Sequence, residues 1–139
     1  MKTGTLLNSE ILYVLSKLGH KDQIAIGDAG LPIPLEVQRI DLAITKNLPG
    51  FLPVFKTVLA EEIIEMVILA EEIIETSPFL HEEILKELSQ IEVQNDIKIQ
   101  VNYVPHKLFK EKLTDCKAVI RTGEFTPYAN IILVSGVSF

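Results

Sequence analysis

The chain has 139 residues, 47% of them apolar, and its 13 Lys+Arg against 19 Asp+Glu give a formal net charge of −6. An acidic chain without a basic stripe lacks the phosphate-neutralising charge that nucleic-acid binding depends on, and no apolar run reaches the ~18 residues needed to span a bilayer. The lone cysteine, Cys116, excludes an internal disulfide, and with no Trp and only 6% aromatics a broad sugar-stacking platform is not expected.

The length suits a single domain over residues 1–139, able to bury roughly 68% of its unfolded surface. A mean hydropathy of +0.29 is high for a small domain. It points to a large core or to apolar surface shared between subunits. The start, Met1-Lys2-Thr3-Gly4, leads into polar Asn8-Ser9-Glu10 without a signal-peptide apolar stretch, so a cytoplasmic protein is expected.

Asn8 or Ser9 can cap a first helix whose apolar positions Ile11, Leu12, Val14, Leu15 and Leu18 follow helical spacing, with Gly19 as its terminator. Gln23–Gly27 has the β-branched content of a strand. At about 3.3 Å per residue, such a strand holds His20 and Asp28 roughly 16 Å apart within one subunit, too far for a direct hydrogen bond. Either a loop folds back, or a site using both residues draws on more than one chain. The following loop, Asp28-Ala29-Gly30-Leu31-Pro32-Ile33-Pro34, is built to be rigid: Gly30 can take positive φ, and the two prolines push Leu31 and Ile33 toward extended geometry.

Arg39 and Asp41 flank Ile40, and Leu42 and Ile44 extend a short period-2 pattern. Asn47-Leu48-Pro49-Gly50 is a turn, and Pro53 suits the first turn of a helix running to about Glu62. The heptapeptide Leu-Ala-Glu-Glu-Ile-Ile-Glu occurs at 59–65 and again at 69–75. On one helix a ten-residue shift rotates the second copy by about 280°, so the copies would face different directions. The duplication is therefore taken as coincidence. Ile64–Ala70 is expected as a buried strand that could continue into the second copy, with one long helix through Glu75 as the competing arrangement.

Ser77 caps the next helix, with Pro78 at its first position, Glu82 and Glu83 near its positive end, and Leu80, Ile84, Leu85, Leu88 and Ile91 inward. Ile97, Ile99, Val101 and Tyr103 alternate as a strand, and Pro105 to Leu113 makes a short helix with His106 in its first turn. Residues 117–121 and 130–135 form the final strands, joined by a loop over 122–129. Strands interleaved with helices predict a three-layer α/β/α domain with a largely parallel or mixed central sheet.

The chain has no phosphate-cradling glycine loop, no C-x-x-C or H-x-x-x-H, and no G-x-S-x-G elbow. No metal or nucleotide cofactor is expected. What remains is a set of polar residues in loops: His20, Asp28, His106, Lys110, Tyr128 and Asn130. Each has an ordinary role open to it. His20 can decorate a helix terminus, His81 and His106 can be solvated first-turn residues, and Tyr128 and Asn130 can shape a turn and a strand entry. Lys110 suits a solvated helix, and Arg121 and Glu124 can pair with each other.

Taken in order, Gly4-Thr5-Leu6-Leu7-Asn8, Gly19-His20, Asp28-Ala29-Gly30-Leu31-Pro32-Ile33-Pro34, Arg39-Ile40-Asp41-Leu42-Ala43, Ala118-Val119-Ile120-Arg121-Thr122-Gly123-Glu124 and Thr126-Pro127-Tyr128-Ala129-Asn130 resemble the D-ribose pyranase family, related to the L-fucose mutarotases. The middle, from about 54 to 100, is less distinctive. Gly27 and the duplicated heptapeptide look like local variations away from any sugar contact. The resemblance implies a cytoplasmic, cofactor-independent isomerase that interconverts β-D-ribopyranose and β-D-ribofuranose. It also implies a ring-shaped homo-oligomer, usually a decamer, with its sites between subunits. His20 matches the family's acid/base position and Asp28 a substrate ligand. His106, Tyr128, Ala129 (through its backbone) and Asn130 match further sugar contacts. A non-catalytic sugar-binding module, or a mutarotase for fucose or another monosaccharide, remains an alternative.

Overall fold

The apolar runs Gln23–Gly27 (β1), Gln38–Asp41 (β2), Ile64–Ala70 (β3), Gln100–Val104 (β4), Ala118–Arg121 (β5) and Ile131–Ser135 (β6) pair into one sheet of order β2-β5-β1-β6-β3-β4. The molecule is a computed structural model describing residues 1–139. β5 lies parallel between β1 and β2, and β3 is parallel to β4, while β6 runs antiparallel to both β1 and β3. Five strands thus point one way and β6 the other. The exits of β1, β3, β4 and β5 therefore meet the entry of β6 at one end of the sheet, where ligand sites of open α/β sheets are found.

Side-chain alternation divides the core. Ile24 and Ile26 of β1, Ala118 and Ile120 of β5, and Ile131 and Leu133 of β6 face a cluster of 25 buried residues. That face is covered by Ser9–Leu15 (α1), Phe51–Leu59 (α2), Ile73–Thr76 (α3) and Pro78–Asn95 (α4). Ala25, Val119, Ile132 and Ile68 face the other way, into a cluster of 9 that is closed by Phe109 of His106–Lys112 (α5), by Leu113 and Cys116 after it, and by Leu31 and Val37 of the proline-rich loop. Helices on both faces of a mixed sheet make the expected three layers. Each fully buried Ile or Leu contributes on the order of 1.5–3 kcal/mol, so these alternating rows hold the strand register.

Several boundaries differ from the sequence expectation. Helix α1 is capped by the Asn8 side chain, which accepts from the Ile11 N–H at 2.9 Å, but it ends at Leu15, so Gly19 belongs to the next turn. The chain takes no glycine through positive φ, Gly30 included; Lys21, Asn47, Asp96 and Tyr128 adopt it instead. Helix α2 stops at Leu59 rather than near Glu62. Ile64–Ala70 is the expected strand; it takes in Leu69 and Ala70 of the second heptapeptide copy, and the rest of that copy turns into α3. Ser77 precedes α4 without capping it; its hydroxyl donates to the Pro127 carbonyl at 2.7 Å. Strand β4 begins only at Gln100, because the left-handed Asp96 ends α4 and Glu92 accepts from the Ile99 N–H. No helix is long and apolar enough to cross a membrane.

Candidate active site

The exit of β1 and the entry of β6 are neighbours through antiparallel pairing, and this brings Asp28 against Asn130. The Asp28 N–H donates to Asn130 Oδ1 at 2.9 Å, and Asn130 Nδ2 donates back to Asp28 Oδ2 at 2.9 Å. Asp28 Oδ1 also accepts from the Gly30 N–H at 2.8 Å, forming an Asx turn in which Gly30 keeps a φ outside the positive region. Both carboxylate oxygens retain unused lone pairs, so Asp28 can still receive hydroxyl donors. Asn130 is only 1% exposed and acts chiefly on Asp28. Gly27 is part of this arrangement. A Cβ there would come within 3.0 Å of Asn130 Oδ1 and would also meet Leu31, so Gly27 is not a variation remote from the site.

His106 begins α5, at the same end of the sheet. It is not a freely solvated first-turn residue: its ring stacks on Phe109 and meets Tyr128 edge-on at 5.1 Å between centroids. Its Nδ1 is buried without a hydrogen-bond partner. Both carboxylate oxygens of Glu72 accept from the His106 backbone N–H at 3.0 Å. Burial holds the His106 pKa below its ordinary value, helped by the charge of Lys110 one turn on and opposed by Glu72 and Asp28. Tyr128 adopts positive φ at 61°, which turns the loop so that its ring faces His106 while Ala129 is buried beneath. Asp28, His106, Tyr128, Ala129 and Asn130 therefore gather at one end of the sheet.

His20 does not join them. It precedes β1, at the opposite end, and its Nε2 lies 2.9 Å from Glu65 Oε2 at the start of β3. The sequence expectation of a long His20–Asp28 separation holds, and no loop folds back to close it.

A cavity of about 390 Å³ opens beside Asp28, between the 28–30 turn, Arg121 and residues 124–127. Of the expected sugar contacts only Asp28 lines it, so one chain forms a partial wall rather than an enclosure. Arg121 and Glu124 are not partners. The parallel register sets Arg121 opposite Asp41, whose two oxygens accept from its Nη1 at 3.1 Å, and Arg121 Nε donates to the Ala29 carbonyl. Glu124 instead accepts from the Phe51 N–H at the start of α2 and from the Thr126 hydroxyl. His81 is not solvated either: it lies 2.6 Å from the Tyr103 hydroxyl, and burial lowers its pKa while raising that of Tyr103. Lys110 is exposed and acts on His106 through charge. No three metal-ligating side chains stand together.

Two residues that hold the histidines, Glu65 and Glu72, were not singled out from the sequence. Both belong to the duplicated heptapeptide, one in each copy, and β3 carries them to opposite ends of the sheet. They occupy different positions of the repeat, seventh and fourth, so the duplication itself gives no signal for them; only the placement of the strand between the copies does.

Comparison with known proteins agrees with this architecture. A D-ribose pyranase of Yersinia enterocolitica is 54% identical over 139 residues, 100% of both chains, and one of Photorhabdus laumondii is 55% identical over the same full lengths. The solved structure of Bacillus subtilis RbsD complexed with D-ribose superposes over 100% of both chains with a TM-score of 0.85 and 42% identity. The profile of the RbsD / FucU transport protein family matches residues 1–138. With that full-length match and relatives above half identity, the chain belongs to the RbsD / FucU family.

Proposed function

We propose that the chain is a cofactor-independent isomerase, a D-ribose pyranase that interconverts β-D-ribopyranose and β-D-ribofuranose in the cytoplasm, as a single domain over residues 1–139. The observation that carries this is the gathering of Asp28, His106, Tyr128 and Asn130 at the strand exits of a chain 54–55% identical to D-ribose pyranases over its full length. The ribose-complexed relative of the same fold supports ribose as the sugar.

Opening the pyranose requires a proton on the ring oxygen and removal of one from the anomeric hydroxyl. The free aldehyde then turns, and O4 closes onto C1. Histidine exchanges protons near neutral pH, its unperturbed pKa being about 6.5. His20 is the acid/base group. Asp28 receives sugar hydroxyls, His106 and Tyr128 hold the ring, the Ala129 backbone bonds to it, and Asn130 keeps Asp28 in place. Because His20 lies at the far end of its own sheet, a second copy supplies it to each Asp28 cluster, within a homo-oligomer, a decamer by family likeness. The uncatalysed reaction already proceeds, so a general-acid contribution of ~10²–10⁴ suffices.

NMR exchange spectroscopy of D-ribose tests the proposal. Catalytic amounts of protein should accelerate pyranose–furanose exchange, and His20→Ala should remove most of the acceleration while ribose still binds. Binding without acceleration in the wild type identifies a non-catalytic sugar module instead.

A further inference from the structure

His20 is held by a turn with an unusual amount of construction. The Asp22 N–H donates to the Gly19 carbonyl, and the Gly19 N–H donates to Asp22 Oδ2 at 2.9 Å. Lys117 pairs with the same carboxylate at 3.5 Å. Lys21, at φ 71°, sits in the left-handed region that a side-chain-bearing residue enters only at a cost. Two backbone bonds, Lys21 N–H to the Ser135 carbonyl and Ser135 N–H to the Asp22 carbonyl, tie the turn to the end of β6.

The strained Lys21 returns its ammonium to Glu65 Oε1 at 3.0 Å while His20 Nε2 meets Glu65 Oε2 at 2.9 Å. One carboxylate is thus shared by two neighbouring residues of the turn. The bonds from Lys21 first, and then His20, hold the Glu65 carboxyl below its ordinary pKa. Glu65 therefore stays an anion, which can only accept, so the proton of a neutral His20 resides on Nε2. Nδ1 makes no bond within the chain and is the nitrogen left for transfer. Nearby on this end, Asp22 pairs with Lys117, with Lys17 on the same surface, and Glu62 accepts from the Ser135 hydroxyl at 3.4 Å with Glu61 beside it.

We propose that Glu65 is a positioning residue that fixes the His20 imidazole with its proton on Nε2 and presents Nδ1 as the atom that delivers and removes the proton during ring opening and closure. This assignment rests on the acid/base role proposed for His20. The ring is half-exposed in a single chain, so without Glu65 both its orientation and its tautomer are free to vary. An orienting partner of this kind is worth a loss of roughly 10–100-fold when removed, and more where the wrong tautomer results.

The test uses the full chain with ¹⁵N-labelled histidine, its three imidazoles assigned by single substitutions. Above the histidine titration range, wild-type His20 should show a protonated Nε2 and a bare Nδ1, and Glu65→Ala should show a mixture of tautomers. In ribose exchange, Glu65→Ala should lower kcat roughly tenfold or more with KM within about twofold. Glu65→Gln, whose amide oxygen can accept the same bond, should recover the single tautomer and part of the rate, and it serves as the second variant if Glu65→Ala folds poorly. A single Nε2–H tautomer persisting in a folded Glu65→Ala overturns the inference alone, whatever the rate. Loss of that tautomer with no loss of rate overturns the positioning role of Glu65, whereas an unchanged rate in His20→Ala overturns the acid/base role of His20 on which the assignment rests.

Discussion

Asn130→Ala is the substitution with the most calculable consequence. The side chain is 1% exposed and makes two bonds to one residue, accepting from the Asp28 N–H and donating to the Asp28 carboxylate. Loss of the neutral bond costs about 1 kcal/mol, and loss of the charge-assisted one about 1.5–3 kcal/mol. Together these give a destabilisation of about 3 kcal/mol, measured at fixed protein concentration because oligomerisation contributes to apparent stability. Urea unfolding should show a lower midpoint with an unchanged slope. A double-mutant cycle with Asp28→Ala should give a coupling of about 1–2 kcal/mol, since both single changes remove the bond from Asn130 Nδ2 to the Asp28 carboxylate, while the bond from the backbone N–H of residue 28 is lost only in Asn130→Ala. Ribose affinity should also fall, because Asp28 loses the bond that aims its Oδ2. An Asn130→Ala protein within about 0.5 kcal/mol of wild type, or a cycle with no coupling, would refute the view that Asn130 works through Asp28.

Two further outcomes concern protonation. Partial burial raises the Glu62 pKa from 4.5 to about 7, opposed by the Ser135 hydroxyl and reinforced by Glu61. The unfolded chain loses this proton first, so stability present below about pH 4.5 is lost as pH rises through about 7. A shift of that size would be worth about 3 kcal/mol in a sealed site, and screening at a half-exposed group reduces it to about 1 kcal/mol. Glu62→Gln should therefore gain about 1 kcal/mol at pH 8 and almost nothing at pH 4.5; an equal gain at both would contradict the assignment. His106, depressed chiefly by burial, loses stability as pH falls from its ordinary value through its lowered one. Its NMR midpoint should rise in Lys110→Met and fall further in Glu72→Gln, and movement in the same direction in both would contradict the charges assigned to them.

Elements bounded by their own local chemistry were readable in advance. Gln23–Gly27 stood out between two polar turns, and Pro78 marked the start of α4. Asn8 was readable as a cap because capping is decided within three residues. Misjudged features depended on distant partners. Arg121 pairs with Asp41 rather than Glu124 because β2 lies beside β5, a register that local spacing does not encode. Ser77 turns to Pro127, fifty residues away, instead of capping its helix. The expected site residues were legible through family likeness, and their grouping follows from the single reversed strand, β6, which lays Asn130 against Asp28. The roles of Glu65 and Glu72 were hidden because β3 had to be placed before its two ends could be seen beside the two histidines.

That same strand geometry leaves His20 and Asp28 at opposite ends of one chain, so the most direct test mixes two defective chains. His20→Ala and Asp28→Ala should each be nearly silent in ribose pyranose–furanose exchange. Unfolded together and refolded as mixed oligomers, they should regain exchange, because some interfaces then join an intact His20 to an intact Asp28 cluster. Mixed oligomers that form but stay as silent as their parents would contradict a site completed by a second copy.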